Sequence, residues 1–290
     1  MIRIILLAML LTSPALGADQ EHGELARRDG SIINYTVWHP PGEPAGVLLI
    51  AQGSGCNPAA NNPNVTEMRS AFPDYVAVTV EKIGITPAPP EITDPNACPP
   101  AFHDGYTLSQ RLADYRAVLN HMDIAPDDLV LFGGSEGGIA VATLAAEIHP
   151  RATIILSSAT GLSFEEMVLA TVPPEGHAFI KAGFAAARQD PDGDTLFAGF
   201  TRRFWADMLE RSSLTEMRRT GSPFLLIQGG RDLSSPLSAA RATADAFAAE
   251  GRCNLTYWEF PALDHGMRTP AGASHLSRIA ALAAQWVREP

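Results

Sequence analysis

The chain has 290 residues, 46% of them hydrophobic and only 18% charged, which fits a globular protein of one large domain, or of two small ones. Its formal charge of −11, with no basic cluster and no aromatic–basic alternation, argues against a nucleic-acid backbone as partner.

Residues 1–17 have the parts of a secretory signal: Arg3 at the start, the apolar run "IILLAMLL", and "ALG" before Ala18. That run is short for a bilayer span, and no later stretch approaches about 18 uninterrupted apolar residues. The expectation is an exported, soluble mature protein of residues 18–290, periplasmic or secreted, with no membrane span. "GELARRDGSIINYTVWHP" predicts two strands joined at the Asp29-Gly30 turn. "AGVLLIAQGSG" predicts a short buried strand running into a glycine-rich loop, and "DYVAVTVEKIG" another strand before the long loop "ITPAPPEITDPNACPPAFHDGY". A helix is expected from Thr107 to about Met122, with Leu108, Leu112, Tyr115, Val118 and Leu119 on one face. "DDLVLFGG" gives the next strand, Glu136–His149 the next helix, and "RATIILSSA" the sixth strand.

From about 161 to 221 the strand pattern stops. Helical stretches such as "FIKAGFAAARQ" and "AGFTRRFWADMLERSS" take over, so this region is expected to form a helical cap inserted after the sixth strand. Within it Phe200, Phe204, Trp205 and Met208 fall near one helical face, a stripe expected to pack against the sheet rather than line a pocket. Alternation then resumes with strand "PFLLIQG", helix "PLSAARATADAFAAEG", strand "CNLTYWEF" and a last helix from about Ala273 to Val287. Short apolar strands alternating with helices imply an α/β fold: a mostly parallel sheet flanked by helices, with ligands bound at the carboxyl ends of the strands.

Three cysteines occur, at 56, 98 and 253. In an oxidising compartment the odd number predicts one disulfide and one free thiol. Cys56 and Cys98 both sit in Pro/Asn-rich loops while Cys253 directly precedes a strand, so Cys56–Cys98 is the expected pair. There is no CxxC or HExxH and the histidines are scattered, so no metal or cofactor is expected.

The stretch "LVLFGGSEGGIAVATLAAEIH" places Ser135 between a buried strand and a helix, the setting a nucleophile elbow requires. A sharp turn there strains the serine backbone. Gly133 and Gly137 remove the Cβ atoms that would collide, and Gly134 and Gly138 are expected to add room for strand and helix. A serine hydroxyl needs a base, and the base needs an orienting acid. Asp232 in "GGRDLSSP" and His265 in "PALDHGM" supply both, each after a strand and in the chain order Ser, Asp, His. Asp264 adjoins His265 directly and is poorly placed to face its ring. His39, His103, His149, His177 and His275 lie at element ends, in the long loop, in the cap or in the last helix. The backbone N–H of Glu136, at a helix start, and that of Ser54 in "AQGSGC" are the expected oxyanion donors, with Gly53 and Gly55 next to Ser54. The Glu136 side chain is expected as a helix-start carboxylate stabilised by the helix dipole.

With "QGSG", "GGSEGG", "GGRDLSSP" and "LDHG" in this order, the chain resembles the α/β-hydrolase superfamily over nearly all of its mature length. Through "GSGC", "EKIG", a Cys-Pro loop and "FGGSEGG" it is similar to exported bacterial serine hydrolases. One departure is Gln52, where many relatives have histidine. The resemblance implies acylation of Ser135, an oxyanion held by backbone N–H groups, and hydrolysis by water activated through His265. It does not fix the substrate. A carboxylic ester is the first expectation. A serine peptidase or aminopeptidase of the prolyl-oligopeptidase-like type is the alternative, with a short peptide whose amine is held by Glu136, Glu165 or Glu166, although the chain lacks the length for that group's N-terminal propeller. A non-catalytic binding protein on the same scaffold is a third reading, disfavoured because all three triad residues are present.

Overall fold

The computed structural model describes residues 19–87 and 97–289. The leader expected at residues 1–17 lies outside them, as does part of the long loop after the fourth strand. Eight strands form the main sheet: β1 (Asp19–Ala26), β2 (Ile32–His39), β3 (Val47–Ala51), β4 (Val76–Val80), β5 (Leu129–Gly134), β6 (Ala152–Leu156), β9 (Phe224–Gly229) and β10 (Leu255–Phe260), in the spatial order β1-β2-β4-β3-β5-β6-β9-β10. β1 and β2 pair antiparallel, β2 joins β4 antiparallel, and every pairing from β4 onward is parallel.

The central strands are apolar along their whole length because both faces are covered. Alternation sends Leu48, Ile50, Val130, Phe132, Ile154, Leu225 and Ile227 to one face, against α1 (Pro63–Ser70) and α10 (Leu276–Arg288). Leu49, Leu131, Ile155 and Leu226 face the other way. There they meet α3 (Leu108–His121), α4 (Glu136–Ile148) and α9 (Leu237–Ala249). Burial of two such layers is the main force holding the sheet.

Between β6 and β9 lie α5 (Phe164–Thr171), α6 (His177–Gln189), the two-residue strands β7 (Leu196–Phe197) and β8 (Phe200–Thr201), α7 (Arg202–Met208) and α8 (Ser213–Met217). The helix expected to include Phe200 begins only at Arg202. Ala198 and Gly199 take positive φ, +48° and +84°, and fold the chain into a small hairpin. Thr201 then caps α7, its hydroxyl accepting from the Phe204 N–H. α1 and α2 (Pro100–Gly105), both opened by proline, fall in stretches that carry no strong period. The last helix starts at Leu276, three residues after the expected Ala273. Among the described residues no helix is long and apolar enough to cross a membrane.

Candidate active site

β5 ends at Gly134 and α4 begins at Glu136, leaving Ser135 alone at the corner with φ 53° and ψ −122°. A non-glycine residue rarely adopts this backbone, and it persists only where the surroundings enforce it. The Ser135 N–H donates to Leu156 O at 2.9 Å, and Ser135 O accepts from the Gly138 N–H at 2.9 Å. A Cβ on Gly133 would lie 2.2 Å from Gly137 O, and one on Gly137 only 2.1 Å from Ala51 O. The corner therefore tolerates nothing larger at either position. Gly138 is similarly tight against Ser158 at 2.6 Å, but Gly134 is not: a Cβ there would meet nothing within 4 Å. Gly134 instead lines the cavity in front of Ser135.

His265 and Asp232 come together from the loops after β10 and β9. His265 Nδ1 lies 2.9 and 3.0 Å from the two Asp232 carboxylate oxygens. Asp232 is buried, with Oδ1 accepting from the Ser234 and Ser235 N–H groups at 2.8 Å and Oδ2 from Gln228 Nε2 at 3.0 Å. The histidine loop is fixed from behind as well: Ser157 Oγ donates to His265 O at 2.9 Å, and Ser235 Oγ to Ser157 O at 2.9 Å. Asp264 turns into its own loop and accepts from the Gly266 and Arg268 N–H groups, so it does not compete for the imidazole. Ser135 and His265 make no hydrogen bond to each other, but both line one cavity of about 260 Å³ together with Gly53, Ser54 and Leu276. A second cavity of about 220 Å³ also reaches Ser54 and Ser135 and is walled by Ile139, Phe164, Met167, Phe200 and Phe204.

Those walls divide the aromatic stripe expected to be packing alone. Trp205 and Met208 are core residues. Phe200 and Phe204, stacked with centroids 4.1 Å apart, also face the second cavity. The hairpin at Ala198–Gly199 takes Phe200 off the helix and sets it over Phe204.

The loop from Gly53 to Gly55 lies directly against the elbow, since a Cβ on Gly53 would be 3.3 Å from Ser135 Cβ. Ser54 is exposed and lines both cavities. Cys56 is bonded to Cys98, with Cα atoms 5.7 Å apart, and Cys253 is free and exposed. Gln52, at the departure from the related pattern, is buried and donates through Nε2 to Asn57 O at 2.8 Å.

The Glu136 side chain does open α4, as its position suggests, but the helix dipole is not what mainly stabilises it. It is buried at the centre of an ion cluster. Its Oε1 accepts from Arg111 Nη1 at 3.1 Å, from the Tyr106 hydroxyl, and from Lys82 Nζ at 3.4 Å. Burial works against its charge, but Lys82, Arg111 and Tyr106 outweigh it and hold the carboxyl below the usual range. Burial draws Lys82 down to about 7, opposed by Glu136. Lys82 also donates to Gly53 O and Gly55 O, both at 2.8 Å, and Arg111 Nη2 to Gln52 O at 2.6 Å. Sequence reasoning missed Lys82, Arg111 and Tyr106. A signal for Arg111 existed: with Leu108, Leu112 and Tyr115 it occupies the spacing i, i+3, i+4, i+7 on the buried face of α3. The two other carboxylates considered for an amine are engaged as well. Glu165 pairs with Arg188, and Glu166 completes the capping box of α5 with Ser163.

No family model matches the chain. It is 27% identical over 218 residues to Esterase LipC of Mycobacterium tuberculosis (strain ATCC 25618 / H37Rv), covering 58% of this chain. The chain spans about half the length of that curated relative. Among solved structures it resembles Est1E from Butyrivibrio proteoclasticus, with a TM-score of 0.60 and 16% identity over 94% of this chain and 98% of the other. It resembles proline iminopeptidase of Mycobacterium smegmatis equally, with a TM-score of 0.60 and 15% identity over 93% and 98%. The architecture is the α/β-hydrolase fold, a mostly parallel eight-stranded sheet flanked by helices. At 16% identity or less, the structural likenesses carry the fold and nothing beyond it.

Proposed function

We propose that this chain is an exported serine hydrolase that cleaves carboxylic esters, with Ser135 as nucleophile, His265 as base and Asp232 as the orienting acid. One observation carries the reading: a serine held at φ 53° shares a cavity wall with a histidine whose Nδ1 is fixed by a buried carboxylate. With Nδ1–H donated to Asp232, Nε2 is left unprotonated and free to take the Ser135 proton. Ser135 Oγ then attacks the ester carbonyl, and the oxyanion is held by the N–H groups of Glu136 and Ser54. Collapse expels the alcohol, which takes the proton from His265, and leaves an acyl group on Ser135. Water activated by His265 hydrolyses that acyl-enzyme. The aromatic cavity suits a compact apolar acyl group, and the wider cavity beside His265 suits the alcohol.

The likeness to an esterase supports ester over amide. A peptidase that anchors an amine needs a free carboxylate, and among the described residues the one carboxylate lining these two cavities, Glu136, is already engaged by two cations and a tyrosine. The residues of about 161–221 serve as a cap over the aromatic cavity, to which they contribute Phe164, Met167, Phe200 and Phe204. Export through residues 1–17 agrees with the Cys56–Cys98 disulfide, which suits an oxidising compartment.

The test is a burst assay with p-nitrophenyl esters of graded acyl length beside aminoacyl p-nitroanilides, each repeated with Ser135→Ala. A Ser135-dependent burst on short-chain esters is expected. Turnover of anilides alone would move the enzyme to the peptidases, and folded protein inert to both would sink the ester reading.

A further inference from the structure

We infer that Lys82 and Arg111 are positioning residues that set the oxyanion loop, and that the Glu136 carboxylate ties this loop to the nucleophile elbow. The inference rests on the serine-hydrolase reading and goes beyond it, because neither cation touches substrate. Three carbonyls of the loop are claimed by the two cations: Gln52 O by Arg111, and Gly53 O and Gly55 O by Lys82. In a planar trans peptide, the C=O of one residue and the N–H of the next point in opposite directions. Drawing Gly53 O toward the buried ammonium therefore turns the Ser54 N–H away from it, toward the cavities that Ser54 lines. Arg111 sets the Gly53 N–H in the same way through Gln52 O.

The end of β4 grips the next stretch with the opposite polarity. Glu81, the neighbour of Lys82, accepts the Ala59 and Ala60 N–H groups at 2.7 and 3.0 Å. Both cations then converge on Glu136 Oε1, whose own backbone N–H is the second proposed donor. The two halves of the oxyanion site are thus linked through one carboxylate, fully inside the protein. Oxyanion donors contribute through preorganisation, so a loop free to turn its peptides loses rate without losing substrate contacts.

The test is the rate at which a fluorophosphonate labels Ser135. Ser135 Oγ attacks phosphorus, its proton passes to His265, fluoride leaves, and the phosphoryl oxygen sits where the oxyanion would. This readout does not depend on the natural substrate. In Lys82→Met the labelling rate is expected to fall by about 10- to 100-fold, somewhat less than deletion of a donor itself. Lys82→Arg, which again offers donors to both carbonyls, regains part of that rate. Carbethoxylation of His265, which needs no oxyanion donor, stays at the wild-type rate; a purely structural fault would move both reactions. Folded Lys82→Met labelled at the wild-type rate overturns the inference. If Lys82→Met does not fold, Lys82→Gln, which keeps one N–H donor pair, is read instead: an intermediate loss supports the inference and an unchanged rate overturns it. Wild type that resists the reagent altogether would instead overturn the nucleophile assignment beneath it.

Discussion

Two carboxylates of the candidate site are buried, Asp232 behind His265 and Glu136 next to Ser135, and they are held in opposite ways. Asp232 is satisfied by neutral donors, two backbone N–H groups and the Gln228 amide, and meets one imidazole. Glu136 is surrounded by charge, with Lys82, Arg111 and the Tyr106 hydroxyl on a single oxygen. Neutral donors fix the position of Asp232 yet leave its charge free, which is what the proposed mechanism needs to orient His265 and stabilise an imidazolium. Cations use up the charge of Glu136 and convert it into a structural tie. On the proposed mechanism, equal burial serves chemistry at Asp232 and architecture at Glu136, the first residue of α4. Each half of that contrast is open to experiment.

The largest effect is expected at the chemical side. Asp232→Asn keeps the shape and the acceptor for Ser234 and Ser235, but turns an amide donor toward His265 and favours the wrong tautomer. Ester turnover is expected to fall by roughly 10³- to 10⁴-fold, with a stability loss of about 1–3 kcal/mol because Gln228 Nε2 loses its acceptor on Oδ2. Steady-state rates and urea unfolding measure the two together. A protein that loses stability instead of rate would place Asp232 with the structural carboxylates.

Glu136→Gln is the complementary case. It removes the carboxylate in direct contact with two buried cations, leaving Glu81 as the nearby negative charge, and breaking such a pair costs about 3–5 kcal/mol. Urea unfolding should show that loss, while the rate of the folded fraction changes less than in Asp232→Asn. Adding Lys82→Met to Glu136→Gln removes one stranded charge and should recover part of the stability, a coupling that a double-mutant cycle reads directly.

A third variant asks whether ions or covalent bonding hold the loop beside the elbow. Cys56 follows Gly55, whose carbonyl Lys82 holds, and the disulfide to Cys98 closes a 42-residue separation. Replacing both cysteines by serine is expected to cost about 2–4 kcal/mol, chiefly through the unfolded chain. Fluorophosphonate labelling of Ser135 should stay near the wild-type rate if the ion cluster sets the loop. A labelling loss as large as that expected for Lys82→Met would transfer the role to the disulfide.

The same contrast explains what was legible in the sequence. Ser135, Asp232 and His265 each sit at a strand's end in a short turn whose glycines and order carry the signal locally. The sheet was legible for a similar reason, since fully covered strands are continuous apolar runs. Lys82, Arg111 and Glu136 meet only in three dimensions, from three elements up to 54 residues apart. A buried charge has the same letter as an exposed one. "EKIG" stood out as a pattern without revealing that its glutamate and lysine grip one loop from opposite polarities. Phe200 was misplaced because the hairpin that lifts it off α7 depends on positive φ at Ala198, a residue with no turn preference to announce it.

The smallest effect is a pH dependence below the range near 7 in which Lys82, held up by Glu136, also titrates. Its carboxyl lies below the ordinary 4.5 in the folded chain because Lys82, Arg111 and Tyr106 outweigh burial. A carboxyl depressed on folding stabilises the protein above its unfolded value, and that contribution is lost as pH falls toward the folded value. On the acid side, the stability gap between wild type and Glu136→Gln should therefore narrow as pH falls through the unfolded value toward the lower folded one. Glu81, whose carboxyl burial pushes upward, is present in both proteins and drops out of the difference. Urea unfolding at stepped pH measures the gap. A gap that widened in acid would mean that Glu136 is protonated more readily in the folded protein than in the unfolded one, and the two cations would then be charged neighbours that fail to hold it.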